Sequence, residues 1–128
     1  MYIRFVIKDL DPDSGHRQGV FQALVEAKEN DLLQAYEVEQ AEAINAWFNE
    51  NLKEPVRLRR SSKYHTQNKA ISWFKDTAIS HISKMRELVA ILEAHDIAVE
   101  MLQTERPGYV VYEDTYQIVA EAFSDTGA

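Results

Sequence analysis

The chain has 128 residues, no cysteine and a formal net charge of −7. This length is typical of one domain with its own hydrophobic core. The absence of cysteine excludes a disulfide scaffold, a Cys-ligated metal site and a thiol nucleophile. The net negative charge disfavours nucleic acid and acidic membranes as general partners. We therefore expect a single domain over residues 1–123, followed by a frayed tail at 124–128.

The first half of the chain predicts one strand followed by two helices. Ile3, Phe5 and Ile7 alternate with more polar neighbours, which is the period of a half-buried strand. Apolar residues then recur at helical spacing over 17–28 and again over 34–52. The positions that define these two helices are Val20, Phe21, Leu24 and Val25, then Val38, Ala41, Ile44, Phe48 and Leu52.

The second half predicts a short edge strand at 56–60, a long third helix at 68–95, and strands at 98–104, 109–112 and 116–122. The helix is predicted from an apolar stripe that steps by three or four residues. Its members are Ile71, Phe74, Ala78, Ile82, Met85, Val89 and Leu92.

These elements follow the order β-α-α-β-α-β-β-β. The order predicts an α+β fold, a two-layer sandwich with the helices on one face of a mixed or antiparallel sheet. The long third helix is expected to pack across this sheet. The last three strands are expected to form a meander.

Charge is strongly segregated along the chain. Residues 53–69, called the basic segment below, carry a formal charge of +5, whereas all other residues together carry −12. Arginines next to an aromatic ring favour a phosphate or carboxylate ligand. The predicted ligand-binding residues are Arg57, Arg59, Arg60, Lys63, Tyr64 and His65. The alternative is a set of solvated charges on an edge strand, or charges that pair with the acidic second helix.

No catalytic motif is present, so candidates for acid–base chemistry come only from residue type. They are His65 in the basic segment, and Glu113 and Asp114 between the last two predicted strands. A Glu-Asp-Thr sequence is also good turn chemistry, which is the alternative for the two carboxylates.

No metal or other cofactor is expected. Asp9, Asp11 and Asp13 alternate like the start of a calcium loop, but Ser14 and Val20 stand where that loop needs Gly and Glu. The four histidines lack the i,i+4 spacing of a helical zinc motif.

The sequence thus predicts a small non-catalytic binding or regulatory domain that self-associates, with the basic segment available to an acidic protein or an anionic small molecule. The opening residues lack a secretory signal and no stretch is apolar enough to span a bilayer, so we expect a cytoplasmic protein. The alternative is a small enzyme or ligand-binding protein that acts on a phosphorylated or carboxylated molecule through the same segment.

Overall fold

The computed structural model describes residues 1–11, 15–53 and 70–123. These residues form a single-domain α+β fold with six strands and three helices, which confirms the predicted class and element order apart from one extra short strand. The elements are β1 (Tyr2–Leu10), β2 (Arg17–Gly19), α1 (Val20–Glu29), α2 (Ala35–Asn51), β3 (Ala70–Lys75), α3 (Ile79–Glu93), β4 (Glu100–Thr104), β5 (Tyr109–Glu113) and β6 (Gln117–Glu121).

The sheet is antiparallel and is organised around β1. Tyr2 pairs with both β3 and β4, and Val6 pairs with both β2 and β4. A strand has only two edges. β4 therefore occupies one edge of β1, and β2 and β3 lie one after the other along the opposite edge. The pairing of β1 with β3 covers only Tyr2 and Ile3, so the two strands diverge beyond that point.

The far side of the sheet is built from β3, β6 and β5. β3 and β6 pair over five consecutive positions, and β5 and β6 form a hairpin. The predicted C-terminal meander is therefore wrong in one pairing, because β4 pairs with β1 rather than with β5. Alternation of apolar residues defines the faces of a strand but does not determine which other strand it pairs with.

The third helix is shorter than predicted. The sequence predicts a helix over 68–95, but α3 begins at Ile79 and the preceding Ala70–Lys75 is strand β3. Ile71 and Phe74 match a helical stripe by coincidence of spacing. The β-branched and aromatic residues of β3 pack between β1 and β6, where strand pairing outweighs the helical pattern.

The predicted N-terminal helices are found with small changes at their starts. α2 confirms the helix expected at 34–52, while the helix expected at 17–28 starts at Val20, because Arg17–Gly19 pairs with β1 instead. The expected strand at 56–60 and the expected tail at 124–128 lie outside the described residues.

The main core lies between the sheet and the three helices. Phe5 and Ile7 of β1 point into it, as the alternation of the strand predicts, and they pack with Leu24, Phe48 and Leu92 of the helices. A smaller cluster of Ile71, Trp73 and Ile118 lies apart from it, with Tyr2 of β1 against it. None of the described helices is both long enough and apolar enough to cross a membrane.

Candidate functional site: a pocket where the sheet divides

All six predicted ligand-binding residues lie outside the described part of the chain. Of the basic segment, only Lys53 falls within it. The predicted residues outside it are Arg57, Arg59, Arg60, Lys63, Tyr64 and His65. The structure describes both points at which the rest of the protein joins the segment, namely Lys53 and Ala70.

The two predicted carboxylates are engaged in local structure. Glu113 lies 2.7 Å from the Lys75 ammonium, from Oε2 to Nζ. Asp114 Oδ1 accepts hydrogen bonds from the backbone N–H groups of Tyr116 at 2.9 Å and Gln117 at 3.0 Å. Partial burial pushes the pKa of Asp114 upward, but these hydrogen bonds and one from Tyr112 outweigh it and lower the pKa. This geometry supports the turn interpretation of Asp114.

Buried Gln117 connects the Asp114 turn to the start of the basic segment. Its Nε2 donates to the backbone carbonyl of Lys53 at 2.6 Å and to Asp114 Oδ2 at 3.1 Å. Its Oε1 accepts a hydrogen bond from Ser72 Oγ at 3.0 Å. The end of α2, the β5–β6 hairpin and β3 are thereby held together where the segment begins.

A pocket lies where β2 and β3 separate along the shared edge of β1. We call it the fork pocket; its volume is about 260 Å³. The lining residues that matter here are Arg4, Asp11, Arg17, Gly19, Ala70 and Ser72. Ala70 directly follows the last residue of the basic segment, so this segment joins the described structure at the pocket wall.

The positive charge of Arg4 lies in surroundings that disfavour a charged group. Its Nη2 donates to the backbone carbonyl of Arg17 at 2.7 Å, and its buried Nε has no hydrogen-bond partner among the described residues. Burial, followed by repulsion from Arg17, lowers the pKa of Arg4 to about 10, although Asp11 acts in the opposite direction. The guanidinium is still charged at neutral pH, and Asp11, which lines the same pocket, favours this charged form.

Arg17 brings a second guanidinium to the same pocket. Its Nε donates to the backbone carbonyl of Ile7 at 3.0 Å, and its Nη2 lies 2.9 Å from Glu100 Oε2. The side chain of Glu100 is 59% exposed, so water screens this ion pair and its contribution is small. Two guanidinium groups that share one pocket form a geometry suited to a phosphate or carboxylate.

Sequence reasoning missed this pair of arginines. The alternation of β1 places Arg4 on the face of the strand opposite to that of Phe5. The proximity of Arg4 and Arg17, however, depends on β2, which has only three residues. Three residues are too few to show the alternation of a strand, and the sequence predicts them as the start of the following helix. The one available signal was Gly19, a poor residue for the interior of a predicted helix.

Two histidines, buried His81 and partly buried His95, have structural partners. His81 Nε2 donates to the backbone carbonyl of Asn51 at 2.8 Å, and its ring lies 4.4 Å from that of Tyr116. His95 Nε2 lies 2.8 Å from Glu37 Oε1. Within residues 1–11, 15–53 and 70–123, no three His, Asp or Glu side chains are grouped so that they could hold a metal ion.

Comparison with known proteins identifies no relative for this chain. No protein-family model, no curated protein and no solved structure matches it. The fork pocket is therefore assigned on its own geometry and charge alone.

Proposed function

We propose that this protein is a small, non-catalytic, cytoplasmic binding domain that self-associates and takes up an anionic small molecule in the fork pocket. The observation that carries the proposal is the partly buried Arg4 guanidinium, which lies in the same pocket as Arg17 and whose buried Nε is unpartnered among the described residues. A ligand oxyanion near both guanidinium groups would offset their repulsion and satisfy that donor. Phosphate and carboxylate groups share the required chemistry.

The cost of burying the Arg4 charge supports this assignment. The lowering of the pKa of Arg4 to about 10 corresponds to a penalty on the order of 3 kcal/mol for the charged form. A fold retains such a group more readily when it serves binding, since binding sites are places where stability is traded for function. At about 260 Å³ the pocket suits a small ligand rather than a large one.

The positions of Glu113 and Asp114 favour binding over catalysis. Both belonged to the candidate acid–base set, and both are held by turn hydrogen bonds or an ion pair. An enzyme would then depend on His65, which lies outside the described residues. The predicted contribution of the basic segment to ligand contacts stays a prediction, supported by its junction with the pocket at Ala70.

A thermal-unfolding screen tests the proposal. Inorganic phosphate, citrate, a sugar phosphate and a nucleotide are added separately to the purified protein. At roughly 100 times the Kd, a ligand that binds only the native state stabilises by about 2.7 kcal/mol. We expect at least one of these anions to raise the Tm by several degrees. A screen of all four anions without any rise would overturn the proposal.

Two variants test whether the anion that raises the Tm binds in the fork pocket. Arg4→Met is expected to abolish the rise in Tm, whereas Arg86→Met removes the same charge from an exposed position on α3 and is expected to preserve it. Equal loss in both variants would show a general charge effect and contradict a fork-pocket site. Turnover of the stabilising anion, followed by NMR, would favour the enzyme alternative.

A further inference from the structure

The apolar face of α1 is wider than the surface that the core covers. Val20 and Leu24 are buried, but Phe21 is 37% exposed and Val25 is 54% exposed. Further exposed apolar residues of the same α1–α2 hairpin are Leu32 and Tyr36. Neighbouring exposed apolar side chains, such as Phe21 and Val25 on one face of α1, typically mark an interaction surface.

A groove lies beside these residues. We call it the α1–α2 groove; its volume is about 240 Å³, and Phe21 and Val25 are among its lining residues. Its apolar lining is completed by Leu24, Leu33, Val38, Ala41 and Leu88. An apolar cavity of roughly 150 Å³ is enough to hold benzene, so this groove has room for a large side chain from another molecule.

The rim of the groove is charged in a self-complementary way. Lys28 Nζ and Glu42 Oε1 lie 3.4 Å apart, and both side chains are exposed. One cation and one anion leave the groove formally neutral in a chain whose net charge is −7. A strongly charged partner therefore gains little here, whereas a copy related by a two-fold axis presents its Glu42 to Lys28 and its Lys28 to Glu42.

Two of the residues that line the groove, Phe21 and Val25, are also partly exposed at its edge. Phe21 is held in place by an edge-to-face contact with Phe48, with ring centroids 5.3 Å apart. Val25 follows one helical turn later on α1 and is more exposed. Exposed apolar side chains at the edge of a groove suit an isologous contact, since each copy supplies both the side chains and the groove.

We infer that the α1–α2 groove is the interface of a two-fold symmetric homodimer, in which Phe21 and Val25 of each copy enter the groove of the other. This inference rests on the self-association included in the proposed function and names the surface that performs it. Burial of apolar side chains drives the contact, and exchange of the Lys28–Glu42 pairs sets its orientation.

Sedimentation velocity of the full chain tests the interface. The wild-type protein is measured from about 1 µM to about 500 µM, because a dimer of ordinary affinity responds to concentration in this range. We expect the mass to rise from 14.8 kDa toward twice that value. We expect Val25→Asp to stay at the monomer mass throughout, at least a tenfold loss of affinity.

Ile79→Asp is the matched control. Ile79 is 75% exposed and lies in the first turn of α3, away from the groove, where an added carboxylate is compatible with the helix dipole. It is expected to dimerise like the wild type. Both substitutions are at exposed positions, and circular dichroism melting checks that both variants are folded.

The outcomes separate the two proposals. A wild-type protein that is monomeric at every concentration would overturn self-association itself. A wild-type dimer that Val25→Asp leaves as strong as Ile79→Asp does would overturn only this interface. Salt gives an independent test: an apolar contact between two acidic chains is expected to hold or strengthen at about 0.5 M salt, where charges are screened. Dissociation by salt would instead indicate a charge-driven contact elsewhere.

Discussion

The fork pocket and the α1–α2 groove have nearly the same volume and opposite chemistry. The first, about 260 Å³, contains two guanidinium groups and the Asp11 carboxylate, and the second, about 240 Å³, is apolar with a single ion pair at its rim. Size therefore says little about what either takes up. The charge that each wall holds distinguishes the proposed anion site from the proposed dimer interface.

Within the described part of the chain, both cavities lie where neighbouring strands or helices separate. The fork pocket exists because β2 and β3 share one edge of β1 and separate around Arg4. The groove exists because α1 carries more apolar surface than α2 and α3 cover. In each case the strands and helices are regular, and the gap between them forms the candidate site.

The largest expected effect comes from the floor of the groove. Leu88 is 1% exposed, so Leu88→Ala is expected to lower the free energy of unfolding by roughly 2–5 kcal/mol through lost burial and an enlarged cavity. Urea denaturation measures the change. Val25→Ala at the exposed rim is the control and is expected to cost below about 1 kcal/mol. Similar costs at both positions would remove the distinction between floor and rim.

A smaller effect is expected from the fork pocket. Arg4→Met in anion-free buffer is expected to change the free energy of unfolding by less than about 1 kcal/mol, or to stabilise the protein. The reason is that replacing a charge that burial disfavours with an apolar side chain removes its desolvation penalty. The same denaturation experiment measures it. A loss above roughly 3 kcal/mol would make Arg4 a structural residue and remove the contrast between the two cavities.

The smallest effect concerns a buried charge that is well compensated. The backbone N–H of Gln34 donates to Glu37 Oε1, and this hydrogen bond, followed by His95, lowers the pKa of Glu37. A carboxyl group with a lowered folded-state pKa stabilises the protein above its unfolded-state pKa of about 4.3, and this stabilisation is lost as the pH falls through the folded-state value.

Glu37→Gln is therefore expected to shift the midpoint of acid unfolding upward by a fraction of a pH unit, because that stabilisation is absent. Glu39→Gln, at an exposed position of the same helix, is the control and is expected to leave the midpoint unchanged. If both variants unfolded at the pH of the wild type, the compensation assigned to Glu37 would be wrong.

Periodicity predicts much of this fold. The faces of β1 and the extent of α2 follow from alternation and helical spacing, since these patterns depend only on which residues the core buries. The pairing of β4 with β1 depends on contacts between distant parts of the chain, which no local pattern encodes. The assignment of β3 as helix has a local cause, because the spacing of three between Ile71 and Phe74 fits a helical stripe. In the strand these two residues lie on opposite faces, and Ile71 shares its face with Trp73.

The candidate site is less predictable than the fold. The sequence places positive charge in the basic segment, but the arginines that meet in the described structure are Arg4 and Arg17, which are separated from that segment along the chain. Their proximity follows from a three-residue strand and from the divergence of β3 from β1. Asp114 was recognised as a turn residue or an acid, and only its hydrogen bonds support the turn.

The most direct test of the central claim observes the two guanidinium groups during an anion titration. Inorganic phosphate is added to ¹⁵N-labelled protein, and the Nε–Hε resonances of the arginines are followed by NMR. We expect Arg4 and Arg17 to shift together along one saturable curve, and Arg4→Met to abolish saturation at Arg17. Shifts at Arg4 and Arg17 that are linear in phosphate and no larger than those of exposed Arg86 would contradict it.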